Sequence, residues 1–185
     1  MPWKNGGGST RQLLIAPPGA TIDDFDYRIS IASVASDGPF SHFPGIDRTL
    51  LLLEGSDLLL EREDGNVLRL DCHCAPLRFA GEEKIYSQLE SGPLTDFNVM
   101  TRRGRYLQQV ENFTITGERQ LFSDDEVLLI FLAEGKELHI TREDGACCRL
   151  EAQDGLLQEL AVSLTLASSE AARVIAVRLN RLSVG

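Results

Sequence analysis

The sequence predicts an all-β protein assembled from two related halves, and three observations carry that prediction. A seventeen-residue segment recurs at an offset of 80 residues: Glu54 to Leu70 reads EGSDLLLEREDGNVLRL, and Glu134 to Leu150 reads EGKELHITREDGACCRL. Nine of the seventeen positions are identical, where chance pairing would give about one, so internal duplication is the economical explanation. Short runs with an apolar residue at every second position recur along the chain, separated by turn residues at spacings of roughly 8–12. Only Ser168 to Val174 carries a helical pattern, and Arg173 to Leu182 competes with it as a period-two strand.

The elements follow in order. Phe25 to Val34 alternates Phe25, Tyr27, Ile29 and Ile31 against Asp26, Arg28, Ser30 and Ala32, the signature of a strand with two unlike faces. Each repeat then has an apolar strand (Thr49 to Leu53; Val127 to Leu132), a glycine turn, an alternating strand (Leu58, Leu60; Leu138, Ile140), an Asp-Gly turn and a further strand. Asp-Gly tolerates the positive φ values of tight type I′ hairpin turns, which is the turn expected at Asp64-Gly65 and Asp144-Gly145. Further strands are expected near Thr95 to Thr101, Asn112 to Thr116 and Ala172 to Arg181. No Pro-, Gly- or Ser-rich linker separates the repeats, so residues 1–185 are expected to form one domain with halves of about 1–100 and 101–185. Many short strands at this spacing fold as a sandwich or barrel.

Composition narrows the function. At 43% hydrophobic and 25% charged the chain is ordinary for a globular protein. A formal charge of −10 opposes attachment to a phosphate backbone, so nucleic acid is not an expected partner. The longest apolar run, Val127 to Ala133, is far too short for a helical membrane span, and Lys4 with the following glycines makes no signal peptide. A cytoplasmic location is expected. Cys72, Cys74, Cys147 and Cys148 lack the spacing of a secreted disulfide scaffold and read as reduced thiols. Homodimerisation is compatible with the sequence.

Several segments taken together in order carry a resemblance: Pro2-Trp3-Lys4-Asn5-Gly6-Gly7-Gly8-Ser9-Thr10-Arg11, Phe25 to Ala32, Gly38-Pro39-Phe40-Ser41-His42-Phe43-Pro44-Gly45-Ile46-Asp47-Arg48, and Leu94 to Met100 with Arg102-Arg103. In that combination the chain resembles the HutD/Ves family over almost its whole length. The resemblance implies a bicupin: two packed double-stranded β-helix, jelly-roll-like barrels related by internal duplication. It also implies an association with bacterial histidine utilisation, and it implies no enzymatic activity. Family members usually carry a short strand before the Pro-Trp-Lys-Asn segment, whereas Met1 stands directly before Pro2 here. The edge of the N-terminal sheet is therefore expected to differ, through either a clipped start or a lost strand.

The metal-binding cupins this family resembles use His-x-His, because residues two apart on a strand project toward one ion. His42, His73 and His139 stand alone, so neither a metal nor another cofactor is expected. Cys72-His73-Cys74 offers two thiolates on one strand face, short of the four ligands of a structural zinc site. Gly6-Gly7-Gly8 lacks the Gly-Lys-Ser/Thr ending and following helix of a phosphate loop and reads as a flexible turn, although the resemblance places Lys4 and Asn5 near the mouth of the first barrel. No catalytic constellation stands out.

A pocket is expected instead. Arg28 and Ser30 share one strand face, and Asp96, Asn98, Met100 and Arg102 share another by the same parity. Two such strands bring donors and acceptors together, and Arg28 or Arg48 can hold a carboxylate with two parallel hydrogen bonds. Gly38 to Arg48, with Ser41 in it, breaks strand periodicity and is expected to form either a rim loop or a packed connector. The expected ligand site is thus Lys4, Asn5, Arg28, Ser30, Ser41, Arg48, Asp96, Asn98, Met100 and Arg102, for a small anionic metabolite such as urocanate or formylglutamate. The leading expectation is a noncatalytic binder or regulator. The alternative is a metal-independent isomerase or lyase with Asp96 as base and His42 or a lysine as acid.

Overall fold

The computed structural model of the chain describes residues 7–73 and 75–183, and every regular element among them is a strand. The chain divides into two compact units, one ending at Tyr106 and the other running from Leu107 to Ser183.

The first unit contains β1 (Gly8–Ala16), β2 (Tyr27–Val34), β3 (Gly38–Pro39), β4 (Ile46–Glu54), β5 (Leu58–Arg62), β6 (Val67–Leu70), β7 (Leu77–Ala80), β8 (Ile85–Leu89) and β9 (Leu94–Arg102). They form a five-stranded sheet in the order β1-β2-β9-β4-β7 and a four-stranded sheet in the order β3-β8-β5-β6. Leu50 and Leu52 of β4, Leu58 and Leu60 of β5, Phe79, Ile85 and Leu94 interdigitate as one apolar core. Period-two alternation in β5 sends Leu58 and Leu60 inward and leaves Leu59 and Glu61 on the other face. In β2, β4 and β9 both faces are withdrawn from water. A smaller cluster of Phe25, Ile46 and Met100 closes one end of the unit.

The second unit is built from β10 (Tyr106–Ser123), β11 (Val127–Glu134), β12 (Glu137–Arg142), β13 (Cys147–Glu151), β14 (Gly155–Gln158) and β15 (Val162–Arg181). Its sheet order is β13-β12-β15-β11-β14, with β10 also paired to β15. The helical pattern at Ser168 to Val174 is overridden: the segment lies inside β15, where Leu164, Leu166, Ala172, Val174 and Ala176 all enter one core. Strand burial of that apolar set outweighs the local Ser-Ser-Glu-Ala-Ala propensity.

The repeated segments form hairpins of identical register. Leu58 faces Leu70 and Leu60 faces Leu68 in β5–β6, while Leu138 faces Leu150 and Ile140 faces Cys148 in β12–β13. Both turns use the same bonds: the amides of Gly65 and Gly145 donate to the carbonyls of Arg62 and Arg142 at 2.9 Å. The expected type I′ turn is corrected here. Gly65 and Gly145 have φ of 80° and 83°, but Asp64 and Asp144 are not among the positive-φ residues, so each hairpin makes a type I turn followed by a left-handed glycine. The strand before each hairpin also carries the same irregularity, a register shift between Leu52 and Glu54 against β9 and between Leu132 and Glu134 against β15.

Candidate functional site

A cavity of about 520 Å³ lies in the first unit on the inner face of the five-stranded sheet. Residues directly opposed in antiparallel strands project to the same side, so register defines its floor. Arg28, Met100 and Arg48 form one row across β2, β9 and β4; Ser30, Asn98 and Leu50 form the next; Ala32, Asp96 and Leu52 form the third. Leu50 and Leu52 belong to the apolar core, and the other members of the three rows line the cavity. The rim comes from the segment around β3, with Phe40, Ser41 and Phe43, and from Ile22 in the loop before β2. That segment is tied down: Ser87 Oγ donates to the Gly38 carbonyl at 2.8 Å, the Phe40 amide donates to the Ile85 carbonyl at 2.8 Å, and Asp37 Oδ1 accepts from the Leu89 amide at 2.8 Å.

Arg48 is 5% exposed, and its guanidinium carbon stands 5.1, 5.6 and 5.0 Å from the ring centres of Phe40, Phe43 and Phe79. Its Nη1 donates to the Ser41 carbonyl at 3.3 Å. It therefore faces the cavity and also holds the rim. Burial pulls its pKa down to about 10, the Asp96 charge raises it again in part, and Arg28 lowers it. Arg28 is half-buried; its Nε donates to Gln12 Oε1 at 3.1 Å and its Nη1 to Ser30 Oγ at 3.2 Å. Burial lowers its pKa too. Asp96, only 3% exposed, has its pKa pushed up to about 7 because desolvation outweighs the Arg48 charge.

Three buried polar atoms here have no hydrogen-bond partner among the described residues: Arg48 Nε, Asp96 Oδ1 and Asn98 Oδ1. An unpaired buried donor or acceptor costs about 1–3 kcal/mol, so a cavity that gathers three of them is poised to receive complementary groups. The second unit shows that this register tolerates an apolar floor. There Leu132 opposes Val174 and Ile130 opposes Ala176, and all four are core residues.

The structure thus brings Arg28, Ser30, Ser41, Arg48, Asp96, Asn98 and Met100 to one cavity. Lys4 and Asn5 lie outside the described residues. Arg102 is a correction: it opposes Ile46, one row past Arg28 and Arg48, and its Nε donates to the Phe25 carbonyl at 3.0 Å instead of facing the cavity. The end cluster of Phe25, Ile46 and Met100 intervenes. His42 lines a different depression of about 500 Å³ with Arg62 and Lys84, away from Asp96. Gly7 is no free turn: its carbonyl accepts from the Ala35 amide at 2.9 Å as β1 begins, and it lines the cavity. Cys72 Sγ lies 3.6 Å from the Leu53 carbonyl, and Cys74 lies outside the described residues. Sequence reasoning missed β1, whose Leu13-Leu14-Ile15 run hides its alternation behind a bulge between Gln12 and Leu14, and it missed Ser87, signalled only by its parity with Ile85.

The all-β chain, whose first unit folds two sheets around a polar inner cavity, has a cupin-like fold: it is similar in fold to a cupin 2 conserved barrel domain protein from Leptotrichia buccalis (TM-score 0.63, 10% identity, 94% and 89% of the two chains). More particularly, the chain belongs to the HutD family, whose profile matches residues 1–176. Protein Ves of Citrobacter koseri is 40% identical over 122 residues, 63% of this chain. The match spans 62% of that relative's own length. Among solved structures, a conserved protein of unknown function from Pseudomonas aeruginosa PAO1 aligns with a TM-score of 0.90 at 30% identity over 97% of this chain and 93% of that one. HutD from Pseudomonas fluorescens SBW25, in a formate condition, aligns with a TM-score of 0.83 at 26% identity over 99% and 94%.

Proposed function

We propose that this chain is a noncatalytic, cytoplasmic small-molecule-binding protein that holds a small anionic metabolite in the first-unit cavity and serves histidine utilisation. The observation that carries the reading is the polar floor itself: Asp96 and Asn98 stand in rows where the second unit has packed aliphatic residues, Arg28 and Arg48 flank Met100 in the row beside them, and three atoms of Arg48, Asp96 and Asn98 have no hydrogen-bond partner among the described residues. Evolution retains such unsatisfied groups where a ligand satisfies them. Two guanidiniums at one end suit a carboxylate in a protein whose overall charge of −10 would otherwise repel it. The likeness to HutD favours urocanate or formylglutamate. A regulatory role is favoured over catalysis in that, among the described residues, no His or Lys shares the cavity wall with Asp96.

The same reading takes the two units as duplicated barrels, a bicupin. What supports it is the shared hairpin register, the shared turn bonds and the bulges placed 80 residues apart. In this view the second barrel filled its cavity with Val174, Ala176, Ile130 and Leu132, and the first kept its cavity open.

Isothermal titration with urocanate and formylglutamate tests the binding claim, with product analysis run on the same samples. Saturable binding that is weakened by Arg28→Gln, without turnover, supports the reading. Turnover of either compound replaces it with an enzyme.

A further inference from the structure

The two sides of the cavity mouth are held in different ways. Phe43, on one side, belongs to a segment bonded to its neighbours at several points: the Phe43 amide donates to the Gly81 carbonyl at 2.8 Å, the Gly81 amide to the Ile46 carbonyl at 2.6 Å, and the Arg103 amide to the Gly45 carbonyl at 2.9 Å. The Arg103 side chain adds a bond to Asp47 Oδ1 at 2.8 Å and bonds to both carboxylate oxygens of Glu82. Ile22, on the other side, sits in the loop 17–25, whose neck is closed by the Asp26 amide donating to the Ala16 carbonyl at 2.7 Å. A loop that leaves and returns at one neck turns about it as a unit. Its tip keeps its own shape, because the Thr21 amide and hydroxyl both donate to Asp24 Oδ1, at 2.6 and 2.7 Å.

Among the described residues, the hydrogen bonds from this loop to the rest of the first unit run only to Arg102. Its Nε donates to the Phe25 carbonyl at 3.0 Å and its Nη2 to the Asp23 carbonyl at 3.3 Å, with the guanidinium carbon 5.9 Å from the Phe25 ring centre. Phe25 is buried against Ile46 and Met100 and roots one end of the loop, while Ile22 near the tip is 50% exposed.

We propose that the loop 17–25 is a gate over the cavity mouth and that Arg102 is its latch, a positioning residue that touches no ligand and sets how often Ile22 swings away. That the gate admits a ligand rests on the binding reading above; that it moves does not, so the two fail separately. Bonds from a charged donor to two carbonyls hold the loop shut, and each shifts the opening equilibrium by about tenfold or more. Opening uncovers Met100, which lines the cavity, packs against Phe25 and is 1% exposed in the closed form.

The test uses the ligand-free protein. Met1 and Met100 are its two methionines, so oxidation of Met100 to the sulfoxide by hydrogen peroxide is followed by peptide mass, and relaxation dispersion of the amides 20–25 reports the open population. Arg102→Ala is expected to speed Met100 oxidation about tenfold or more and to raise the open population in step, with the amides of the β5–β6 hairpin unchanged. Arg103→Ala removes more bonds, but from the fixed side. It should lower the denaturation midpoint and leave both readouts within about twofold of the wild type. Arg102→Lys keeps the charge and loses the two-pronged donor, so it should fall between wild type and Arg102→Ala, and it decides the matter if the alanine variant does not fold. Met100 oxidation at the wild-type rate in the folded Arg102 variants, or equal acceleration by Arg103→Ala, overturns the latch. Urocanate at saturating concentration should slow Met100 oxidation in the wild type; if it does not while the Arg102 effects hold, the gate stands and the ligand-binding reading falls.

Discussion

Arg48 on β4 and Asp96 on β9 line one cavity on adjacent strands, and each moves the other's charge equilibrium toward the ionised form without overcoming burial. Arg48 spends Nη1 on the Ser41 carbonyl, and neither its Nε nor Asp96 Oδ1 has a hydrogen-bond partner among the described residues. Two opposite charges that share a buried space yet leave hydrogen-bonding atoms idle are a cost to the fold, because desolvation is offset only where the bonding is complete. That cost gives the first prediction its sign.

The folded-state pKa of Asp96 is raised from 3.8 to about 7, so the native protein holds this proton more tightly than the unfolded chain does. The associated stability is fully present below pH 4 and is lost as pH rises through 7. Asp96→Asn should therefore stabilise the ligand-free protein at pH 8 by roughly 2–4 kcal/mol, with the gain shrinking as pH falls toward 4. Urea denaturation of both proteins across that range checks it. A gain that grows toward low pH would refute the assignment.

Arg28 and Arg48 should separate when each is replaced by Ala. Arg28 is half-buried at the cavity edge, so its loss should lower affinity for a carboxylate ten- to a hundredfold, about 1.5–3 kcal/mol, with little change in stability. Arg48 is packed among three aromatic rings and anchors the rim, so its loss should also lower stability by about 2–3 kcal/mol. Paired titration and denaturation measurements show whether the two effects part company.

Giving the first unit the floor of the second should silence it. The double change Asp96→Val with Asn98→Ala copies Val174 and Ala176. It is expected to retain β-sheet circular dichroism, to raise the denaturation midpoint, and to remove detectable carboxylate binding, since it deletes two orphaned polar groups. Retained binding would place the ligand elsewhere.

Glycines that share a positive φ should differ by their surroundings. A Cβ on Gly55 (φ +105°) would stand 2.7 Å from Leu94 Cβ, whereas one on Gly65 (φ +80°) meets nothing within 4 Å. Gly65→Ala should cost about 1 kcal/mol for the left-handed conformation alone, and Gly55→Ala roughly 3 kcal/mol or more once the clash is added. Chemical denaturation of the two variants decides the order.

Local pattern made most strands legible: the alternation in Tyr27 to Ile31, the apolar runs of β4 and β11, and the hairpins around Asp64-Gly65 and Asp144-Gly145 all depend on neighbours in sequence. Pattern misled where long-range pairing decided the outcome, as at Ser168 to Val174, which β11 and β12 draw into one strand, and at Leu13-Leu14-Ile15, where a bulge breaks parity.

For the site, the sequence by itself determined which faces of β2 and β9 are polar, because side chains alternate whatever the partner strand. Only the tertiary structure decided how far that polarity reaches: Arg48 joins the cavity because β4 pairs with β9, whereas Arg102, of matching parity, lies one row beyond and is captured by the Phe25 carbonyl. The physical reason is that alternation is a property of one chain segment, while the end of a cavity is set by register between segments far apart in sequence and by the side chains of Phe25, Ile46 and Met100 that close it.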